Sequence, residues 1–209
     1  MKKIIIAAFV FVTGFTNAQV TVSPGIKGGL NISGLTNFER TNSKYDFYAG
    51  GFVAIKFNKY FTLQPEILYS RQGVELNIAT GSLNNQNDFV YNSRKANYEL
   101  NYLSLDAVAK FHFNGKGFHV LAGPSFDFKI DDNNDEFYAD KPVNFDLGLI
   151  AGVGYSLPNG LTFEARFKQG LIDIYGYDYA DDENGNGNYD EVFLNQVFQF
   201  GISYTFKTK

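Results

Sequence analysis

The sequence predicts an all-β protein, with eight antiparallel strands closed up-and-down into a barrel. Three observations predict it: an apolar residue at every second position, short and long connections that strictly alternate, and one strand face that is apolar while the other carries glycine and balanced charge. The composition agrees. The 209 residues include 22 Phe and 14 Tyr but no Cys and no Trp, which excludes disulfide frameworks, thiolate metal sites and a cysteine nucleophile. A formal charge of -4 and a pI near 5.2 argue against a nucleic-acid partner, because phosphate neutralisation needs a dense basic face.

Residues 1–18 read as an export signal. Lys2-Lys3 precede an apolar run from Ile4 to Phe15, and Thr16-Asn17-Ala18 sets small side chains at the -3 and -1 positions of a cleavage site before Gln19. The run is too short for a membrane helix, which needs about 20 residues. Residues 19–209 then form one domain.

The strands follow in order. Gly25–Ser33 opens the series. Phe47–Phe57 sets Phe47, Ala49, Gly51, Val53, Ile55 and Phe57 against Tyr48, Gly50, Phe52, Ala54 and Lys56. Phe61–Arg71 and Leu103–Phe113 repeat the alternation, and Phe118–Lys129, Val143–Tyr155, Leu161–Leu171 and Gln196–Phe206 complete it. Each is about as long as the 9–11 residues of a tilted membrane strand. Pro65 and Pro124 fall inside strands, where each removes a ladder donor, and the expectation there is a β-bulge.

Asn58-Lys59, Asn114-Gly115-Lys116 and Pro158-Asn159-Gly160 are tight turns, whereas residues 34–46, 73–97, 130–142 and 172–195 are long connections. In an up-and-down barrel this alternation sends all short turns to one rim and all long loops to the other. Transmembrane barrels of the Gram-negative outer membrane have that asymmetry, with short periplasmic turns and long extracellular loops. A barrel of eight strands has room inside only for side chains. The Phe-, Leu-, Ile- and Val-rich register is therefore expected to face lipid. The other register carries Glu66, Asp106, Asp127, Asp146 and Glu164 with Lys27, Lys56, Lys110, Arg166 and Lys168, a balance that suits a salt-bridged filling of the lumen. Aromatic residues near strand ends read as interfacial girdles: Tyr45, Phe47, Tyr48, Tyr60, Phe61, Tyr98, Tyr102, Phe111, Phe113, Tyr175, Tyr177 and Tyr179.

The runs Gly25–Ser33, Leu63–Ser70, Leu121–Ser125, Asp146–Gly148 with Ala151–Tyr155, and Gly201–Phe206 resemble the small outer-membrane barrels of Bacteroidetes, the PorT-like or outer membrane beta-barrel domain family. The resemblance covers essentially all of residues 19–209 and implies an outer-membrane protein of no assigned activity. One member type is tied to assembly of a secretion system. The last strand, ending Tyr204-Thr205-Phe206, is similar to the aromatic signal that barrel-assembly machinery reads during insertion.

Chemistry is sparse. His112 and His119 are the only imidazoles, and both flank the Asn114-Gly115-Lys116 turn at the periplasmic rim. Ser104 lies eight residues from His112, out of reach for a nucleophile–base pair. No catalytic residues and no enzymatic activity are expected. In the last long loop, Asp182, Asn184, Asn186 and Asp190 follow calcium-loop spacing with Gly187 at the sixth position, although Phe193 stands where a bidentate Glu closes an EF-hand. The alternative is a flexible acidic loop; no other cofactor is expected. Asp131, Asp132, Asp135 and Glu136 read as a solvated tip that could meet divalent cations bridging lipopolysaccharide.

The expected protein is thus a monomeric, non-enzymatic barrel with a plugged lumen that works through its loops, in envelope integrity or partner binding. Its expected partners are outer-membrane lipid, lipopolysaccharide and the assembly machinery. Two alternatives stand beside it: a soluble secreted carrier of lipocalin type with the apolar register turned inward, and a narrow-channel porin.

Overall fold

The computed structural model describes residues 20–37, 41–83, 89–115, 117–133, 141–175 and 192–207. The segment read as a signal peptide and the four candidate calcium ligands lie outside these residues. Eight strands close into a ring in sequence order: β1 (Thr21–Leu35), β2 (Thr41–Lys56), β3 (Phe61–Leu83), β4 (Phe89–His112), β5 (Phe118–Asp132), β6 (Phe145–Ser156), β7 (Leu161–Gly170) and β8 (Asn195–Thr205). Every neighbouring pair is antiparallel, and β1 pairs with β8 to close the ring, so no strand edge is left along the barrel wall.

The short turns are locally encoded. Asn58 Oδ1 accepts from the amides of Tyr60 and Phe61 at 2.8 and 2.9 Å, an Asx turn that reverses the chain between β2 and β3. Asn114 and Gly115 take left-handed φ values of 53° and 63° between β4 and β5. Gly160, at φ 96°, finishes the β6–β7 turn, where its amide reaches the Leu157 carbonyl at 3.1 Å.

Alternation delivers the expected sidedness. Ile26, Leu30, Phe47, Ile67, Leu105, Phe126, Leu149, Phe163, Phe198, Phe200 and Ile202 are exposed on the outer wall, whereas Lys27, Glu66, Asp106, Asp127, Asp146, Glu164, Arg166 and Lys168 are buried inside. A carrier with its apolar register inward is contradicted by this arrangement, since the apolar wall faces outward. Lys56 departs from the expectation: it occupies the last rung of the β1–β2 ladder and is exposed at the short-turn rim.

The prolines depart too. Pairing runs in one register through Pro65 (Pro65↔Ala107) and through Pro124 (Pro124↔Leu149), with no bulge at either position. A strand residue directs its N–H to one neighbour only. Each proline therefore interrupts one ladder, Pro65 that with β2 and Pro124 that with β4, and leaves the other intact. The register shifts fall elsewhere, between Ser43 and Tyr48 in β2 and between Asn101 and Tyr102 in β4.

Two long connections are shorter than expected because the strands continue into them. β3 and β4 pair from Phe61↔Phe111 up to Leu83↔Phe89, through most of the stretch 73–97. The flanking ladders stop earlier, at Thr41↔Leu76 and Leu100↔Asp132. Residues 77–83 and 89–99 accordingly rise beyond the barrel as a two-stranded ribbon, about 23 Å tall at roughly 3.3 Å per residue.

Candidate functional site

The chemically distinctive region is the lumen. Small residues make space for it. A Cβ on Gly152 would come within 2.9 Å of Arg166 Cα, and one on Gly154 within 2.5 Å of His119 Nε2. Into that space β1, β3, β4 and β7 project Lys27, Glu66, Lys110, Glu164 and Arg166. Arg166 grips Glu66 through both carboxylate oxygens, at 2.7 and 2.9 Å, and also reaches Glu164 at 2.8 Å. Lys27 bridges the same two carboxylates at 3.0 and 2.8 Å, and Lys110 meets Glu164 at 2.5 Å. Gln64 donates to Glu66 at 2.7 Å. The belt is thus three cations interlocked with two carboxylates, bidentate at its centre, as desolvated charges require.

Towards the long loops the balance reverses. Asp106, Asp127 and Asp146 surround one ammonium, Lys168, which pairs with Asp127. Ser125 donates to Asp106 at 2.6 Å and to Asp127 at 3.0 Å. Asp146 receives the Ile172 amide at 3.2 Å and the Asn195 side chain at 3.4 Å. Across the lumen, Gln199 donates to Asn31, which donates to Ser70, at 3.0 Å each.

Above these polar layers lies an apolar cap that sequence reading missed: Val74, Tyr98, Leu100 and Tyr102, with Leu35 and Leu76 against it. Tyr48, Tyr98 and Tyr102 were expected in the interfacial girdles and are instead buried inside. Tyr48 is 1% exposed and lies across the inner glycines, so close that a Cβ on Gly201 would meet its Oη at 1.9 Å. Parity gives the reason, since Tyr48 shares the inner face of β2 with Gly50 and Phe52. Tyr45, Phe47, Tyr60, Phe111 and Phe113 are exposed, as girdle residues should be, while Tyr177 and Tyr179 lie outside the described residues. At the long-loop rim, Arg71 ties Asp46 and Glu99 together at 3.4 and 2.7 Å, and Lys44 joins them from β2. Just above, Lys95 and Asn42 donate to Glu75 at 2.7 and 3.1 Å and hold its carboxyl below the usual carboxylate range.

The histidines are cross-strand partners at the short-turn end, with ring centroids 4.9 Å apart. His119 is fully buried, its Nδ1 3.0 Å from the Gly117 carbonyl and its Nε2 3.5 Å from Glu164. Ser104 stands higher in the lumen beside Lys168, at 3.5 Å, so serine and imidazole are not brought together. Among the described residues, no group of three or more His, Asp or Glu is arranged to hold a metal ion.

A closed ring of eight strands, an apolar outer wall and internally paired charges define a transmembrane β-barrel of the outer membrane. The chain belongs to the outer membrane protein beta-barrel domain family, whose model matches residues 17–176. Among solved structures it is similar to neisserial surface protein A, at 13% identity and a TM-score of 0.47, covering 90% of this chain and 99% of that one. It is also similar to Ail, the attachment invasion locus protein of Yersinia pestis, at 10% identity and a TM-score of 0.45, covering 88% and 97%. A third is OprG of Pseudomonas aeruginosa, at 10% identity and a TM-score of 0.44, covering 91% and 99%. No curated protein matches the sequence.

Proposed function

We propose that this outer-membrane barrel is non-enzymatic, keeps its lumen filled by its own side chains, and acts through the structures on its long-loop side, by binding a partner or supporting envelope integrity. The observation that carries this reading is the β3–β4 ribbon. Its strands continue past the last rungs shared with β2 and β5, so ordered backbone extends where the wall no longer requires it. The belt of Lys27, Glu66, Lys110, Glu164 and Arg166 supports the filled lumen, because displacing either carboxylate leaves three buried cations sharing one partner. On this reading residues 1–18 direct export, and the last strand is read by the assembly machinery. On the same reading the chain is a PorT-like barrel of Bacteroidetes, a reading supported by the resemblance of runs such as Gly25–Ser33 and Leu63–Ser70. Lipopolysaccharide meets the loops, and Asp182, Asn184, Asn186 and Asp190 hold calcium weakly.

Replacing residues 77–97 by a short turn tests the ribbon. The variant should insert and keep its heat-dependent gel shift but lose the phenotype that deletion of the whole protein produces; full complementation would refute the role. Planar-bilayer recording of the intact barrel should show no steps above background, and regular conductance steps would favour the narrow porin instead. For the loop, calorimetry that shows no saturable calcium uptake below about 10 mM would dismiss the site, since extracellular modules bind as weakly as 10⁻³ M.

A further inference from the structure

The outer wall is not evenly convex. A trough of about 650 Å³ crosses it at the closing seam of the barrel, over β1, β8, β7 and β6. Its floor includes Gly28, which has no side chain, and Ala165, which has only a methyl group, and Leu30, Phe200, Phe118 and Tyr155 stand around it. We propose that this trough is a binding site for one acyl chain of a phospholipid of the periplasmic leaflet.

Four features lead there. The trough is continuous with the lipid-facing wall, since Ile26, Phe198 and Tyr204 extend the same exposed apolar surface on its flanks. No charge enters it. Glu164, the one residue in its lining that is charged at neutral pH, turns its carboxylate inward to Lys27, Lys110 and Arg166, which leaves the Tyr155 hydroxyl as the one polar side-chain group at the trough. Position points to the leaflet: Phe118 opens β5 directly after one short turn, Tyr155 sits just before another and Phe163 just after it, so the trough opens at the periplasmic rim and runs from there up to mid-strand at Gly28 and Phe200. Shape disfavours a second copy centred on this seam, because a two-fold axis through the trough sets trough against trough and leaves both unfilled. A chain lying on Gly28 and Ala165 is touched from the floor and both sides, which multiplies dispersion contacts that a flat wall offers from one side only.

The test is native mass spectrometry of the mature barrel, refolded with phosphatidylethanolamine and released from mild detergent. Wild type should carry one retained phospholipid. Gly28→Leu and Ala165→Phe fill the trough from outside and should lower that occupancy about tenfold. Ala109→Phe, on the outer register of β4, should leave it unchanged. A Cβ on Gly28 meets nothing closer than 3.4 Å, so Gly28→Ala, which fits without displacing backbone, is the milder companion variant should a bulkier one fail to fold, and the heat-dependent gel shift checks each. Equal lipid retention in wild type, trough variants and control would overturn the site. So would a two-chain species that the trough variants abolish, since it would make a second copy the occupant.

Discussion

Replacing Glu164 by Gln removes one charge from the belt and leaves its shape. Glu164 is the hub: Lys27, Lys110 and Arg166 reach its carboxylate at 2.8, 2.5 and 2.8 Å, and its side chain is 1% exposed. Neutralising it leaves three buried cations facing Glu66 alone. Loss of one partner from a buried ion pair costs about 3–5 kcal/mol, because the remaining charge stays desolvated and unpaired. With a urea slope of about 1–3 kcal/mol per M, the unfolding midpoint should fall by at least about 1 M. Adding Lys110→Met restores the original excess of a single positive charge and should recover roughly half of the loss. Arg166→Met should cost less than Glu164→Gln, since Glu66 and Glu164 each keep Lys27. Unfolding by urea in phospholipid vesicles, followed by circular dichroism and gel shift, measures all three. A midpoint for Glu164→Gln within experimental error of wild type, or a double variant weaker than the single one, would refute a belt held by desolvated charge.

Other substitutions probe the packing and the sidedness. Gly201→Ala drives a Cβ into the Tyr48 ring and should destabilise by about 1–3 kcal/mol. Tyr48→Phe should be near neutral, because the buried Tyr48 hydroxyl has no hydrogen-bond partner among the described residues, and should relieve part of the Gly201→Ala penalty; an additive pair in the same urea assay would contradict the contact. Ile67→Arg, at a position 52% exposed on the outer wall, should cost about 2–4 kcal/mol in a bilayer and far less in detergent; equal costs in the two media would mean that this wall does not face hydrocarbon.

What the sequence made legible follows where lipid imposed a pattern. Phe47–Phe57 and Leu161–Leu171 were readable because lipid on one face and a narrow lumen on the other force strict alternation. Residues 77–83 and 89–97 were not readable as strands, because above the membrane neither face of a ribbon must be apolar and its own cross-strand ladder suffices. Tyr48, Tyr98 and Tyr102 were misplaced because tyrosine suits an interface and a crowded lumen alike; their parity with Gly50, Ser104 and Asp106 was the signal that separated the two. The charged residues of the lumen were identifiable, but not their pairings. Contact between Lys27 and Glu164, 137 residues apart, depends on the stagger of strands around the closed ring, which no local pattern encodes. The prolines misled because a missing donor counts against one neighbour only.

The most direct test is the gel migration of the protein taken from isolated outer membranes, with and without boiling. A closed barrel whose ladder has no free edge along the wall resists SDS in the cold. The unheated protein should therefore migrate apart from the boiled chain and be found in the membrane fraction. A protein that migrates identically in both lanes and is recovered from the soluble periplasmic fraction would contradict the lipid-facing wall on which the account rests.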